Sequence, residues 1–251
     1  MKTALLTVAA IMASFAAQSA LIGDWQLNDA NTGTTPTSAA DSSGNGYTMS
    51  GPVTAGQLSQ GMSWTSGQGG GNGDATNAGY LEYAQNVLLG ASGRVDATIY
   101  WAGNGGVSYI YGDKLFSTTR HTFYLGSDGS LVFSDEYFGN TQTVATSASA
   151  VAVNQWTQVS ATWDNATSTA KLFVNGVLTA TNTAFATHGG GGDNPWLTSM
   201  VLGADPYNRG GQWGHAFNGN LDYVQLYDTI PEPASLALLA LGGLALVRRR
   251  R

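Results

Sequence analysis

The chain contains no cysteine. Disulfides and zinc–thiolate centres are therefore excluded, and packing, with or without a hard metal, must hold the fold. Basic residues are also scarce. Between residues 21 and 233 only Arg94, Lys114, Arg120, Lys171 and Arg209 stand against all sixteen carboxylates, a balance of −11, and the whole chain carries −6. Such a surface does not suit nucleic acid, whose phosphates need Lys and Arg to neutralise them. It suits divalent cations and neutral sugars better. Lys and Glu, the common helix formers, are few, while glycine reaches 34 residues, a composition for strands and turns. His121, His188 and His215 are scattered, and neither a Gly-x-Ser-x-Gly elbow nor a His-Glu-x-x-His helix occurs, so no nucleophile–base system is legible. These histidines read as surface or satisfied core residues.

What the chain does have is period-two alternation, clearest from Trp156 to Leu178 (WTQVSATWDNATSTAKLFVNGVL). Val159, Ala161 and Trp163 share one strand face and Gln158, Ser160 and Thr162 the other. After Asp164–Ser168 the run Ala170–Asn175 alternates again, and Asn175-Gly176 supplies the pair that tolerates positive φ in a two-residue hairpin. A three-strand antiparallel meander follows. Further strands are read at Leu21–Asn28, Gly79–Ala84, Arg94–Trp101, Val107–Tyr111, Ser199–Gly203 and Asn220–Tyr227, with a hairpin His121–Gly126 and Ser130–Ser134 turning at Asp128-Gly129. Asp222 shares a face with Val224 and Leu226, so it is expected to begin an inward series, where a carboxylate is costly unless paired or bound to a cation. Asp135 and Glu136 are adjacent and must point to opposite faces.

Both ends read as processing segments. Met1–Thr3 is basic, Ala4–Ala17 is apolar, and small residues follow to Ala20, the layout of a secretory signal peptide (residues 1–20). At the other end Pro231-Glu232-Pro233 precedes the uncharged Ala234–Val247 and then Arg248, Arg249, Arg250 and Arg251. Fourteen apolar residues are short for a span of about 20, and the arginines keep that end cytoplasmic. The arrangement resembles the Pro-Glu-Pro carboxy-terminal sorting signal of Gram-negative bacteria (PEP-CTERM). That resemblance implies an exosortase-type transpeptidase as partner, contact with the membrane only through the apolar helix before processing, and export to the cell surface or extracellular matrix. Residues 230–251 are assigned to this signal and 21–229 to one domain.

The pattern Trp156-x-x-Val159-x-x-Thr162-Trp163-Asp164, then Leu172-Phe173-Val174-Asn175-Gly176, resembles the central hairpins of laminin-G-like, concanavalin A-like domains. Phe217–Tyr227 resembles their last strands. The resemblance implies an all-β, two-sheet antiparallel jelly-roll sandwich flanked by the signal peptide and a short carboxy-terminal apolar helix. In Asp41-Ser42-Ser43-Gly44-Asn45-Gly46 it implies a calcium-holding segment, giving Asp41, Asn45 and Asp222 as candidate ligands of a structural Ca2+. By its residues alone Asp41 also reads as an Asx-turn capping its own loop. The loop is not an EF-hand, because Pro52 stands where the bidentate glutamate belongs. Candidate sugar-binding aromatics are Trp101, Tyr109, Phe173, Trp196, Tyr207 and Trp213; each can equally cover the ends of the core. The Glu-x-Asp-x-x-Glu signature of hydrolases with this fold is absent, and Glu82, Glu136 and Glu232 are the only glutamates. The expected function is a non-catalytic exported module binding glycan or exopolysaccharide. The alternatives are a structural or adhesive surface protein with no defined ligand, and a glycan hydrolase or lyase.

Overall fold

A computed structural model describes residues 20–27, 38–50, 64–65, 80–85, 87–88, 91–103, 106–115, 118–137, 140–186, 196–197, 199–205 and 217–228. Within them lie β1 (Leu21–Trp25), β2 (Ser38–Ala39), β3 (Met49–Ser50), β4 (Trp64–Thr65), β5 (Leu81–Tyr83), β6 (Val87–Leu88), β7 (Ser92–Trp101), β8 (Ser108–Leu115) and β9 (Thr118–Leu125). There follow β10 (Leu131–Tyr137), β11 (Asn140–Ala145), β12 (Trp156–Asp164), β13 (Thr169–Val174), β14 (Val177–Asn182), β15 (Trp196–Leu197), β16 (Ser199–Leu202) and β17 (Asn218–Tyr227). No helix occurs among the described residues, and therefore none long and apolar enough to cross a membrane.

Two antiparallel sheets make a sandwich. One has the order β1-β17-β7-β12-β13-β14, with β4 also on β17; the other runs β11-β10-β9-β8-β16-β5-β3-β2. A small third ladder joins β15 to β6. The first and last strands pair, Leu21 opposite Tyr227, so the two ends of the domain meet at one sheet edge.

The central meander forms as the alternation requires. Val159 pairs with Val174 and Trp163 with Ala170, and all four face inward. Asn175 and Gly176 both take positive φ, 51° and 75°, which lets the tight turn follow the right-handed twist of the strands. The core joins the inward rows of both sheets. Trp163 stacks on Phe133 at 5.1 Å and on the His121 imidazole at 4.9 Å between ring centroids.

Three expectations change. The strand expected at 107–111 extends to Leu115, because its continuation is polar: Asp113 lies fully buried, hidden from a hydrophobic pattern by its partners. It accepts hydrogen bonds from the Tyr111 hydroxyl (3.0 Å) and the His121 backbone N–H (2.7 Å), and its Oδ2 lies 2.9 Å from His121 Nδ1. His121 is thus a paired core residue. Strand β11, a polar Asn-Thr-Gln-Thr run with no apolar alternation, is an addition to the strands expected, defined by its pairing with β10. Finally, Asp222 does not open the inward series. The register slips between Leu221 and Tyr223, so Asp222 is the extra residue of a β-bulge and only half-buried, while Leu221, Val224 and Leu226 point into the core.

Candidate functional site

Alternation along β8, β9 and β10 sends His121, Phe123, Phe133 and Asp135 into the sandwich. The intervening Thr122, Tyr124, Ser134 and Glu136 turn to the outer face of the eight-stranded sheet. Asp135 and Glu136 diverge as adjacent strand residues must. Tyr109 pairs with Tyr124 across β8–β9, and their rings stack with centroids 4.9 Å apart and planes 23° apart. Beside them the Thr122 and Ser134 hydroxyls share a hydrogen bond at 3.1 Å. Asp205, just beyond β16, is buried. Burial pushes the Tyr109 phenol far above its ordinary range, and Asp205, Tyr124 and Glu136 push it the same way. Burial also raises Tyr124, partly offset by a hydrogen bond from Ser134. Both phenols therefore stay protonated at neutral pH and can donate. The face thus carries two stacked rings and Glu136, backed by the buried Thr122, Ser134 and Asp205, groups of the kinds that pack on a sugar ring and bond its hydroxyls.

Of the expected site residues, Tyr109 belongs to this face. Phe173 lies on the outer face of the other sheet, half-exposed and opposite Ser160. Trp101 is corrected: it is 4% exposed and part of the core cluster, since it continues the inward series of Val95, Ala97 and Ile99 along β7. Trp196 begins β15, opposite Leu88. Tyr207, Trp213, the sorting residues Pro231, Glu232, Pro233 and Arg248–Arg251, and residues 1–19 lie outside the described residues. Tyr124 and Glu136 were not singled out as ligand residues, although the strict alternation around them was the signal that could have found them.

The expected calcium ligands meet only in part. Asp41 and Asn45 share one loop, but Asp41 bridges to Trp25 on one side of β1 while β17, with Asp222, pairs on the other. Asp41 Oδ1 accepts from the N–H groups of Asp24 and Ser43, both at 2.9 Å. Its Oδ2 accepts from the Ser43 hydroxyl at 2.8 Å and the Tyr47 N–H at 2.9 Å. Asn45 Nδ2 donates to the carbonyls of Leu21 and Ile22, each at 2.9 Å. A carboxylate has about four acceptor sites, and here all four meet donors. Both Asp41 oxygens are thus already engaged by protein donors, and Asp222 lies across β1 from that loop. Among the described residues no cluster of three His, Asp or Glu is placed to hold a metal.

Two antiparallel sheets packed face to face, with no helix among the described residues, define a β-sandwich of the jelly-roll class. The concanavalin A-like lectin/glucanases superfamily matches residues 95–237, and the chain belongs to that superfamily. The PEP-CTERM protein-sorting motif matches residues 229–251 and marks the chain for export. A search of curated protein sequences finds no match. Among solved structures, the chain is similar to the Ruminococcus gnavus IT-sialidase CBM40 bound to α2,3 sialyllactose, at 18% identity and TM-score 0.48, covering 60% of this chain and 83% of that one. It is similar to the K499G mutant of NanB sialidase from Streptococcus pneumoniae at 13% identity and TM-score 0.49, covering 61% of this chain but only 26% of that one. The SAP-like pentraxin of Limulus polyphemus follows at 17% identity and TM-score 0.44, covering 60% of this chain and 70% of that one.

Proposed function

We propose that this protein is an exported, non-catalytic glycan-binding module of the cell surface or extracellular matrix of a Gram-negative bacterium, engaging polysaccharide on the outer face of its eight-stranded sheet. The observation that carries this reading is the Tyr109–Tyr124 stack beside Glu136, Asp205 and the Thr122–Ser134 hydroxyl pair. Stacked rings offer rigid apolar area to a pyranose, and carboxylates and hydroxyls accept and donate around its rim. The family name itself covers lectins and glucanases, and the sorting motif directs the chain to where polysaccharide is met. In this reading an exosortase-type enzyme removes the carboxy-terminal segment, and residues 21–229 form the mature domain. The Asp41 loop is held, in this reading, by its own backbone and hydroxyl donors, and a structural calcium is tested by the melting comparison below.

Affinity electrophoresis through gels containing soluble polysaccharides tests the proposal. Tyr124→Ala is expected to weaken retardation at least tenfold, a loss of about 1.4 kcal/mol, with the melting temperature nearly kept because the ring is only part-buried. Unchanged retardation would remove the site. A second reading, glycan cleavage, is favoured by one feature: Glu136 and Asp205 both raise the Tyr109 phenol pKa, so two carboxylates flank one ring, and glycoside hydrolysis works with a pair of carboxylates. Release of reducing ends that Glu136→Gln abolishes would establish it. No release from any bound polysaccharide leaves the module non-catalytic.

A further inference from the structure

The opposite outer face, on the seven-stranded sheet, carries a second set of aromatic and amide side chains that the reading above does not use. Register alone assembles it. Trp156 stands opposite Tyr100 across β12–β7, and one row along, about 7 Å away, Gln158 stands opposite Thr98, which pairs in turn with Tyr223. The next row brings Phe173 of β13 opposite Ser160. Trp156 is 44% exposed, unusual for the side chain that buries most area. Its ring meets Tyr100 at 5.7 Å and 60°, forming a corner with one open wall. The Gln158 carboxamide donates to the Tyr223 hydroxyl at 2.9 Å, which fixes its orientation beside that corner before anything binds.

The surrounding charge selects the occupant. In a chain of net charge −6, the carboxylate nearest this strip on β7, Asp96, is paired to Arg94 at 2.7 Å. Lys171 is the exposed charge on the neighbouring strand β13. The strip holding Trp156, Tyr100, Gln158 and Tyr223 has no cation of its own, and the half-buried Asp222 sits next to Tyr223 at its margin, which disfavours an anionic ligand. A surface with open aromatic walls, a fixed amide and no cation within the strip fits an extended neutral polysaccharide strand. Such a ligand brings apolar ring faces and hydroxyls without needing an ion pair.

We propose that the Trp156–Tyr100–Gln158–Tyr223 strip is a second glycan-binding site, specific for neutral polysaccharide. Together with the site on the eight-stranded sheet it makes the domain bivalent, able to bridge two polysaccharide strands through one sandwich. The bridging rests on the reading given under Proposed function; the second site does not.

The full-length chain is run by affinity electrophoresis through mixed-linkage β-glucan, galactomannan and xylan, and the viscosity of the same polysaccharides is measured with protein added. Trp156→Ala is expected to weaken retardation at least fivefold in one of these polymers, and Trp156→Phe to restore most of it. Tyr124→Ala weakens it separately, and the double variant loses it. The rise in viscosity produced by wild type is lost in each single variant, because bridging needs both faces. If Trp156→Ala leaves retardation and viscosity unchanged while Tyr124→Ala abolishes them, the second site is overturned and the first stands. If Trp156→Ala abolishes all binding and Tyr124→Ala none, the second site stands and the first is overturned. Absence of binding by wild type overturns both. Trp156→Ala converting a dimer to a monomer in sedimentation, with binding intact, would assign the strip to a second copy of the chain and overturn the proposal.

Discussion

Asp41 shows how one side chain can organise a whole loop. Its carboxylate ties three backbone N–H groups and one hydroxyl into a single knot joining β1 to the loop. Burial alone would raise its pKa, but the N–H groups of Asp24, Ser43 and Tyr47 and the Ser43 hydroxyl outweigh burial and hold it below the ordinary aspartate value. A depressed folded-state pKa gives stability that is present above the unfolded value and lost as pH falls through the folded one. Asp41→Asn replaces one acceptor oxygen with an NH2 group facing donors, at a cost of about 1–2 kcal/mol, or a few degrees of melting temperature for a domain of this size. Thermal unfolding from pH 7 to pH 2.5 should show the wild type losing this increment below about pH 4, while the variant starts lower and lacks that step. Melting temperatures in EDTA and in millimolar calcium should agree for the wild type. A rise with calcium that Asp41→Asn abolishes would mean that the loop trades its donors for the ion.

At the level of the strand, register matters more than composition. Gly219 is the clearest case. It takes φ of 145° in β17, and a Cβ built there would lie 1.9 Å from the Tyr100 carbonyl oxygen. Neither backbone can yield without breaking the β17–β7 ladder, so Gly219→Ala should cost about 3 kcal/mol or more. A denaturation midpoint close to wild type would show that the β17–β7 ladder opens readily enough to admit a methyl group. The same ladder marks the limit of what alternation can reveal. Val159, Ala161 and Trp163, the Asn175-Gly176 turn and the His121–Ser134 hairpin were legible because apolar and polar positions alternate there without interruption. Asp222 was misplaced because a bulge inserts one residue and reverses every face beyond it, and no local residue type announces that. Of the two readings open for Trp101, sugar-binding aromatic or cover for the core, its own strand phase along β7 selects the second. Tyr109 was found by residue type. Its partners Tyr124 and Glu136 come from two other strands, and only the pairing of β8, β9 and β10 brings them together.

For the molecule as a whole, charge sets which polysaccharides can approach. The chain carries −6, and −11 within residues 21–233, so the sandwich is surrounded by negative potential that repels anionic polymers over roughly a Debye length, about 10 Å at 0.1 M salt. Neutral polymers feel none of this. Their binding depends on ring stacking and hydrogen bonds at short range, which salt hardly screens. Two salt dependences follow from one charge distribution. Retardation by β-glucan or galactomannan should change less than twofold between about 20 and 500 mM NaCl. Retardation by an anionic polymer such as alginate should be weak or absent at low salt and strengthen as salt rises, because screening removes repulsion without removing stacking. The opposite slope, tight binding of alginate at low salt that falls as salt is added, is the signature of cations neutralising an acidic ligand. That result would mean a cluster of the few basic residues, rather than the aromatic faces, holds the polysaccharide.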